Sequence, residues 1–575
     1  MSIKKPLEEY IDNIKEFLQK GDFSNALNII NNALTDYPSN PKLYINGGNI
    51  YKINGDLENA EIYFKKALIL HKSKEVLNNL SVIELEKYNY QQSIDYAMDA
   101  IKLDPSYSDA YYNLALSLER IGDYRQSINY AEKSYKLSKN IKHLVLLYRV
   151  LQNTCDWEKM DSIVSDLDSN IGNGIEHPFL NISRIDDEAI NFIVAKSWAE
   201  NNTFKIPTES NLKNDREKGK IKLGYICGEF RNHPTYHLIK NLFKHHNKED
   251  FEIYIFSYNH ENDIQNEIQK DVDQFISIDE TNDKDAIKKI SEFNIDILID
   301  LSIIITNNRQ KIISSRPAKK IISYLGYPGT SGYDFYDYII TDKIVTPENK
   351  QSYYSEKFLY LPRTYQVNSG IKYTKTKDLS KSDYGLPNDS IILSCFNQSF
   401  KIDRIIFESW VSILKKLPST YLWILEDNEV AKENLTEYAE LHDISSDRLI
   451  FAPRIDRNSH LKRLALADVA LDTRIYNGHT TTTDALQSSV PVVTIMGKHF
   501  ASRVSSSLLS SVGLEELIAH NTQEYEEKII KLCSEKIYLN KIKEKLSHNI
   551  SIQNLNDVKK FTYEFELSLK SILKN

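Results

Sequence analysis

The amino-acid sequence predicts a mixed α and α/β fold, an N-terminal α-solenoid of helical repeats followed by two Rossmann-like lobes. Two observations support this fold class. The first third of the chain repeats a short pattern at a near-constant spacing, and the remainder alternates short apolar runs with helical stretches. A fixed period indicates stacked helical units, whereas strands that alternate with helices indicate parallel sheets covered on both faces.

The composition is that of an ordinary globular protein, with 41% hydrophobic and 26% charged residues among 575. The net charge of -8 leaves no global basic footprint, so we expect no nucleic-acid partner. The four cysteines lie far apart, without the spacing of a disulfide framework or a zinc site. The first residues lack the apolar core of a signal peptide, and no run is long enough to span a membrane. We therefore expect a cytoplasmic protein without a membrane span.

The repeated pattern is a turn, most often Gly-Asp followed by a large apolar residue, with small residues five and twelve positions after the turn. The turns start at residues 21, 55, 88, 122 and 155, spaced by 34, 33, 34 and 33 residues. A helix–turn–helix unit of this period resembles the tetratricopeptide repeat. We assign the array to residues 1–170 and connecting helices with a linker to residues 171–219.

Arrays of this kind present a concave surface, so we expect it to engage an extended segment of a protein partner. The alternative is an array that only caps or dimerises the neighbouring domain, and a homodimer is a further expectation.

The rest of the chain contains two sets of apolar runs that predict strands. The first set, in a lobe at residues 220–375, comprises residues 220–226, 251–256, 295–301, 320–325 and 338–341. The second set, in a lobe at residues 376–575, comprises residues 391–396, 420–425, 448–451, 467–471 and 491–495. Parallel sheets bind ligands at the carboxyl ends of their strands, so we expect a cleft between the lobes.

Residues 476–486 predict an anion site, because an apolar strand is followed by a Gly turn, a run of hydroxyls and the start of a helix. The first turn of a helix has unpaired backbone N–H groups and a positive dipole, and the hydroxyls of Thr480 and Thr481 add donors. A diphosphate fits such a site, and Asp484 is placed to accept hydrogen bonds from a sugar hydroxyl. The alternative is a well-capped helix without a ligand.

Other strand-end loops carry cationic side chains, imidazoles and a carboxylate, at residues 228–237, 326–332, 397–401 and 452–463. Together they suit a nucleotide-diphosphate sugar, with Lys401 and the helix at Thr480 neutralising the charge that Mg²⁺ neutralises elsewhere. The sequence has no Asp-x-Asp pair at a strand end, so we expect neither a metal nor another cofactor. It also lacks the glycine-rich motifs of dinucleotide and P-loop sites.

From about residue 220 onward, the sequence resembles the protein O-GlcNAc transferases and their SPINDLY relatives, which are inverting glycosyltransferases of the GT-B fold preceded by tetratricopeptide repeats. The motifs that carry the resemblance include residues 230–235, 316–318, 325–332, 337–342, 354–357, 396–403, 477–481 and 501–504. The chain lacks the large insertion between the lobes of the animal enzymes and has fewer repeats, features that resemble the bacterial members.

The resemblance implies roles for individual residues. Lys401 corresponds to the lysine that stabilises the departing diphosphate, His460 to the histidine that packs on uridine, and Asp484 to the ribose contact. The other implied contacts to the nucleotide sugar are Gln398, Arg457, Arg463, His479, Thr480 and Thr481. Around the sugar and the acceptor hydroxyl, the implied residues are His233, Thr235, Leu325, Gly326 and Pro328.

The reaction implied by the resemblance is in-line attack of a Ser or Thr hydroxyl on the anomeric carbon, with inversion. The candidates for the proton acceptor are His233, Glu229 and the donor phosphate. Two departures from the family pattern stand out. Phe179 replaces a histidine of the animal enzymes, and apolar residues occupy part of the segment 302–304.

We therefore expect transfer of N-acetylglucosamine from UDP-GlcNAc to Ser or Thr of a protein. The alternatives are another donor, such as UDP-glucose, UDP-GalNAc or GDP-fucose, and a non-catalytic interaction protein with vestigial lobes. The altered segment 302–304 favours the last alternative, whereas retention of Lys401, His460 and His479 favours an enzyme.

Overall fold

The computed structural model describes residues 5–202, 219–305, 308–370, 379–552, 555 and 557–573. They form two compact units, Met1–Leu151 with Lys159–Leu167, and Gln152–Glu158 with Asp168–Asn575. Most of the linker predicted before residue 219 lies outside the described residues, as do residues 371–378 at the predicted boundary between the lobes.

The first unit consists of helical hairpins, and the chain enters the second unit at the turn of the last hairpin. The helices are α1 (Leu7–Gln19), α2 (Phe23–Asp36), α3 (Pro41–Ile53), α4 (Leu57–Leu70), α5 (Lys74–Glu86), α6 (Tyr90–Leu103), α7 (Ser108–Arg120), α8 (Tyr124–Ser138), α9 (Ile141–Asn153) and α10 (Trp157–Asp168).

The turn of each hairpin falls at a repeat position and adopts a left-handed backbone. Gly21, Gly55 and Gly122 have φ of 70°, 79° and 85°, and Tyr88 and Cys155 reach 62° and 54° at the equivalent positions. Three of the aspartates that follow the turns accept a backbone N–H three residues on and so cap the next helix. The predicted helical repeats are confirmed, including the fifth copy.

The second unit begins with α11 (Pro178–Arg184) and α12 (Glu188–Asn201) and continues into two lobes. The first lobe contains β1 (Ile221–Cys227), α13 (Pro234–His245), β2 (Phe251–Ser257), α14 (Asn262–Ile268), β3 (Gln274–Ser277), α15 (Asp283–Ser291), β4 (Ile297–Asp300), α16 (Gln310–Ser314), β5 (Lys320–Ser323), β6 (Tyr338–Thr341) and β7 (Lys357–Tyr360).

The second lobe contains β8 (Ile391–Cys395), α17 (Arg404–Lys416), β9 (Thr420–Leu425), α18 (Glu429–Leu441), β10 (Leu449–Ala452), α19 (Arg457–Leu464), β11 (Val469–Leu471), α20 (Thr480–Gln487), β12 (Val492–Ile495), α21 (Val504–Ser511) and β13 (Ile518–Ala519). It is followed by α22 (Thr522–Ser534), α23 (Lys536–Ile552) and α24 (Val558–Ser571).

Both sheets are parallel, and their strand orders are alike. The first runs β3-β2-β1-β4-β5-β6-β7 and the second β10-β9-β8-β11-β12-β13. In each, the order reverses between the first strand and the fourth, and ligands of such sheets bind outside the strand ends at that reversal. The two predicted Rossmann-like lobes are confirmed, and the loops after β1, β4, β8 and β11 lie at the switch points.

The two lobes are held together within the second unit by hydrogen bonds and by α24. The Gln366 side-chain amide donates to the Thr483 hydroxyl at 2.7 Å, and Ser507 Oγ donates to Asp342 Oδ2 at 2.7 Å. From α24, Glu566 lies 2.9 Å from the buried His246 Nδ1 at the end of α13. In the part of the chain that the structure describes, no helix is both long and apolar enough to cross a membrane.

Candidate functional site

Two polar residues follow the strands at the switch point of the second lobe. Asp472 comes directly after β11 and is buried, and Asn397 follows β8. Asp472 Oδ1 accepts the Gly478 N–H at 2.6 Å, and Asn397 Oδ1 accepts the Thr481 hydroxyl at 2.6 Å. These contacts from the two strand ends fix the turn between β11 and α20.

The turn at Gly478 has no room for a side chain. A Cβ there would lie 2.6 Å from Thr481 Oγ1 and overlap the Thr482 hydroxyl. The first backbone bond of α20 runs from Thr483 N to His479 O at 3.1 Å, so the N–H groups of Thr480, Thr481 and Thr482 precede the intrahelical ladder. The start of α20 therefore has N–H groups outside the intrahelical ladder and a tight turn that allows a close backbone approach, the geometry expected of an anion site.

The Lys401 ammonium binds the backbone just before the start of α20. Its Nζ donates to the Asn477 carbonyl at 2.9 Å and lies 4.2 Å from the centroid of the Tyr476 ring. Burial lowers the pKa of Lys401 to about 8, although nearby Asp472 acts in the opposite direction. The lysine is therefore a cation at neutral pH, close to its titration range.

His479 lies on the same aromatic ring. Its imidazole stacks on Tyr476 with 5.0 Å between centroids, and its buried Nε2 has no hydrogen-bond partner among the described residues. Burial, and then the Lys401 charge, lower the pKa of His479 well below its ordinary value. A neutral imidazole with an unsatisfied nitrogen is thus available to a polar ligand.

His460 and Arg463 form an aromatic and cationic wall on α19. The His460 ring meets Phe396 edge-on at 4.9 Å, and Arg463 Nε donates to His460 Nδ1 at 3.2 Å. Burial and then the Arg463 charge lower the pKa of His460 to about 4. Because Nδ1 is an acceptor, the neutral ring carries its proton on Nε2.

Arg457 and Asp484 pair with each other. Arg457 Nη1 and Nη2 reach the two carboxylate oxygens of Asp484 at 3.0 and 2.5 Å. Burial raises the pKa of Asp484 to about 6, and the Arg457 charge opposes that rise. Gln398 is exposed at the start of the turn that carries Lys401.

In the first lobe, the loop after β1 places Glu229 beside Arg231 and His233. Glu229 Oε2 lies 2.8 Å from Arg231 Nη2 and 3.8 Å from His233 Nδ1. His233 caps α13, since its Nδ1 accepts the N–H of Thr235, which is buried, at 3.3 Å. Burial lowers the pKa of His233 to about 4. Burial raises the pKa of Glu229, and the Arg231 charge opposes that rise.

The loop after β5 is tightly built. Leu325 has a left-handed φ of 74°, and a Cβ on Gly326 would overlap the Leu301 carbonyl oxygen. Pro328 is buried. The buried Glu356 carboxylate accepts from Thr330 Oγ1 at 2.7 Å and from the Ser331 N–H at 2.8 Å, which fixes the far side of the loop.

The two departures from the family pattern pack into hydrophobic surroundings. Ile303 and Ile304 are buried in the core of the first lobe, and Asp300 Oδ1 accepts the N–H groups of Ser302 and Ile303. Phe179 packs against Phe400 and Tyr476, with centroids at 5.8 and 5.7 Å.

The residues implied by the resemblance thus lie on strand-end segments of both lobes, after β1 and β5 in the first lobe and after β8, β10 and β11 in the second. Tyr476, Asn397 and Glu356 lie in segments that the sequence patterns identified, but no individual role was predicted for them or for Asp472. A polar residue immediately after a buried strand was the available signal for Asp472 and Asn397. Glu356 had no such signal, because its hydrogen-bond partners lie 25 and 26 residues away.

Helical repeats are followed by two Rossmann-like lobes, and Lys401 bonds the turn before α20, which defines a repeat-bearing two-lobed α/β protein. The sequence profile of glycosyl transferase family 41 matches residues 199–376 and 372–565. Tetratricopeptide-repeat profiles match residues 41–69 and 96–129. The chain therefore belongs to glycosyl transferase family 41 and carries tetratricopeptide repeats.

Curated relatives are considerably longer than this chain. It is 33% identical over 417 residues to the probable UDP-N-acetylglucosamine–peptide N-acetylglucosaminyltransferase SEC of Arabidopsis thaliana, covering 68% of this chain and 42% of the relative. It is 25% identical to the UDP-N-acetylglucosamine–peptide N-acetylglucosaminyltransferase of Caenorhabditis elegans, covering 60% and 40%. The chain thus spans about two fifths of the length of these relatives.

Among solved structures, the chain is similar to a mutant of the O-GlcNAc transferase of Thermobaculum terrenum. The TM-score is 0.66 with 23% sequence identity, over 92% of this chain and 96% of that chain. This likeness confirms the arrangement of helical repeats followed by two parallel-sheet lobes.

Proposed function

We propose that this protein transfers N-acetylglucosamine from UDP-GlcNAc to Ser or Thr hydroxyls of protein acceptors, with inversion at the anomeric carbon. Membership of glycosyl transferase family 41 and the names of the relatives support the reaction class and the donor. The observation that carries the proposal is the position of the Lys401 ammonium, 2.9 Å from the Asn477 carbonyl at the start of α20.

The diphosphate of the donor binds at the start of α20. The N–H groups of Thr480 and Thr481 and the Thr480 hydroxyl donate to phosphate oxygens. The unsatisfied Nε2 of the neutral His479 ring contacts the donor as an acceptor, because the other ring nitrogen bonds the Ala501 backbone. Lys401 neutralises the charge that develops on the departing diphosphate, a role that is largest in the transition state. Charge neutralisation by Lys401 and the helix end needs no metal in this proposal.

The nucleoside binds against α19 and α20. The His460 ring offers a face for the uracil, and its orientation is fixed by Phe396 and Arg463. Asp484 accepts from a ribose hydroxyl while Arg457 keeps it ionised, because a buried carboxylate without a cation takes up a proton. Gln398 contacts the nucleotide from the turn before Lys401.

Glu229 is favoured over His233 as the residue that takes the acceptor proton. His233 Nδ1 already accepts the Thr235 N–H, so its other nitrogen carries a proton and donates. Burial raises the pKa of the Glu229 carboxylate, which makes it a stronger base. His233, Thr235, Leu325, Gly326 and Pro328 then surround the sugar and the attacking hydroxyl.

The catalytic lobes in this proposal are residues 220–375 and 376–575, and the repeat array at residues 1–170 engages the protein acceptor. A concave solenoid surface suits an extended peptide of the protein acceptor.

The experiment that tests this function removes the Lys401 charge and keeps its shape. Lys401→Met is expected to lower turnover of UDP-GlcNAc by at least about a hundredfold, as when a group that stabilises transition-state charge is lost. Lys570→Met is the matched control. Lys570, like Lys401, lies over an aromatic ring, which is that of Phe251, and it forms an ion pair with Asp250. Equal turnover in Lys401→Met and Lys570→Met would contradict the proposal.

Turnover should also survive EDTA, and strict dependence on Mg²⁺ or Mn²⁺ would contradict the metal-free mechanism.

A further inference from the structure

The short helical turn that carries Lys401, residues Ser399–Lys401, is bound by a distant part of the second unit. The segment Asn153–Trp157 lies more than two hundred residues earlier in the chain. Ser399 Oγ donates to the Asn153 carbonyl at 2.5 Å, and the Trp157 indole N–H donates to the Ile402 carbonyl at 3.2 Å. These two bonds hold the Lys401 turn at both of its ends.

The same segment is itself anchored to the second lobe. The side-chain amides of Asn428 and Asn434 on α18 and its cap donate to the carbonyls of Asn153 and Thr154 at 2.9 and 2.8 Å. The Cys155 thiol lies 3.4 Å from the Ser399 carbonyl, and burial raises the pKa of this thiol, which therefore remains a neutral donor.

Trp157 is the apolar part of this contact. It is 6% exposed, and its ring packs against Phe407 at 5.5 Å and Tyr438 at 5.2 Å. Because the ring is held by α17 and α18, the indole N–H has a fixed direction toward the Ile402 carbonyl. A buried hydrogen bond on a fixed ring is a precise constraint on the backbone that accepts it.

We propose that the segment Asn153–Trp157 is a positioning element for Lys401, with Trp157 as its principal residue. The Lys401 ammonium must lie near both the Asn477 carbonyl and the anion-binding end of α20, and catalytic groups tolerate displacements of only about half an ångström. Within the second lobe, the N–H and hydroxyl of Ser399 also contact Asp427 Oδ2, each at 2.9 Å, and the bonds from Asn153–Trp157 add to this anchor in fixing the Lys401 turn relative to α20. The inference rests on the proposed function only for what Lys401 does to the substrate.

The test variant is Trp157→Phe, which keeps an aromatic ring against Phe407 and Tyr438 and removes the N–H donor. Ser399→Ala is the second variant. Its matched control is Ser409→Ala, another buried serine of the second lobe, whose hydroxyl donates to the Ile405 carbonyl within α17. Trp157→Phe and Ser409→Ala each remove one donor, whereas Ser399→Ala removes a hydroxyl that also contacts Asp427 and Asn428. All three are small changes and are expected to fold, which circular dichroism checks.

The readout is competitive acetylation of the full-length protein with trace acetic anhydride between pH 6 and 11, with Lys401 quantified by mass spectrometry. This labelling measures the titration of Lys401 in place and needs no sugar donor, so it remains informative if the proposed reaction fails. Release of the Lys401 turn gives the ammonium more water, so its titration should move upward by roughly half a pH unit or more.

The expected result is an upward shift in Trp157→Phe and Ser399→Ala and none in Ser409→Ala. Turnover of UDP-GlcNAc should fall several-fold in the first two variants and remain unchanged in the third. Labelling profiles of Trp157→Phe and Ser399→Ala that coincide with the unaltered protein would overturn the positioning role. A shift of the same size in Ser409→Ala would also overturn it, because the effect would then be general loosening.

Discussion

At the residue scale, the site depends on how burial and neighbouring charges balance at single side chains. Burial removes water from the Lys401 ammonium and lowers its pKa to about 8, and the nearby Asp472 carboxylate partly opposes this lowering of the pKa. Asp484 shows the opposite case, since burial raises its pKa and Arg457 opposes the rise. Burial therefore moves the pKa values of both Lys401 and Asp484 toward neutral pH.

The first prediction concerns the pH dependence of the proposed reaction. Lys401 is cationic below about pH 8 and neutral above it, so kcat/KM, which reports the free enzyme, should fall as pH rises through about 8. Lys401→Arg should remove this limb from the residual activity, because a guanidinium keeps its proton in this range. Steady-state kinetics between pH 6 and 10 measure both profiles. A limb at the same pH in Lys401→Arg would assign the titration to another group.

The second prediction concerns Gly478. Gly478→Ala should reduce affinity for UDP by at least about tenfold, or about 1.4 kcal/mol, because the added methyl displaces the hydroxyls of Thr481 and Thr482. Isothermal titration measures the affinity. Gly385→Ala is the control, since Gly385 has a left-handed φ of 69° and open space around its Cβ position. It should lose stability but keep its affinity for UDP, and equal losses of affinity would refute the steric explanation.

At the scale of elements, the repeat turns show why the sequence pattern is informative and where it degenerates. Each turn requires a left-handed residue, which glycine adopts at little cost. Tyr88 and Cys155 adopt the same conformation with side chains that disfavour it. The two copies with an altered turn residue therefore keep the geometry because the packing of their helices imposes it.

The third prediction compares two substitutions at equivalent turn positions. Gly55→Ala should lower the free energy of unfolding of the repeat array by about 1 kcal/mol, because alanine is strained at φ of 79°. Tyr88→Gly should change it in the opposite direction by up to about 1 kcal/mol, because relief of strain outweighs the larger entropy of the unfolded chain. Urea unfolding followed by circular dichroism measures both. Changes of the same sign would contradict the role of the turn.

The strands of both lobes were largely predictable, because ten buried strands are apolar runs bounded by turns. The sequence did not predict β3, β7 and β13. β3 and β7 are at or near edges and carry polar or exposed residues, and β13 has only two residues, so none contributes a long apolar run. An apolar pattern identifies a strand only where both faces of the sheet are covered.

The candidate site was predictable to the level of loops and less so to the level of contacts. Parallel topology brings the loops after β1, β4, β8 and β11 to the switch points. Local sequence patterns are sufficient to predict the strands and therefore these loops. The pairing of Arg457 with Asp484 and the contact of Trp157 with Ile402 depend on side-chain packing between distant segments. No local pattern contains that information.

At the scale of the whole molecule, the second unit is a two-lobed body whose last helix returns to the first lobe. Glu566 on α24 contacts both His246 and the Asn247 N–H, at 2.9 and 2.8 Å. The repeat array forms its own unit with its own hydrophobic clusters. The proposed function therefore divides between a body that binds the donor and an array that engages the protein acceptor.

The fourth prediction tests this division. Deletion of residues 1–103, which removes α1 to α6, should leave cleavage of UDP-GlcNAc by water intact and reduce transfer to a protein acceptor by at least about tenfold. Both rates can be measured on one preparation, with circular dichroism to check that the remaining helices fold. Equal loss of both rates would mean that these repeats support the fold of the catalytic body.

The most direct test of the central claim is a binding and hydrolysis screen of the full-length protein against UDP-GlcNAc, UDP-glucose, UDP-GalNAc and GDP-fucose. We predict preferential binding and cleavage of UDP-GlcNAc, because the diphosphate and uridine contacts combine on α19 and α20 and the relatives are named for this donor. Preference for another of these donors would contradict the assigned sugar. Absence of binding to any of the four nucleotide sugars would contradict the account as a whole.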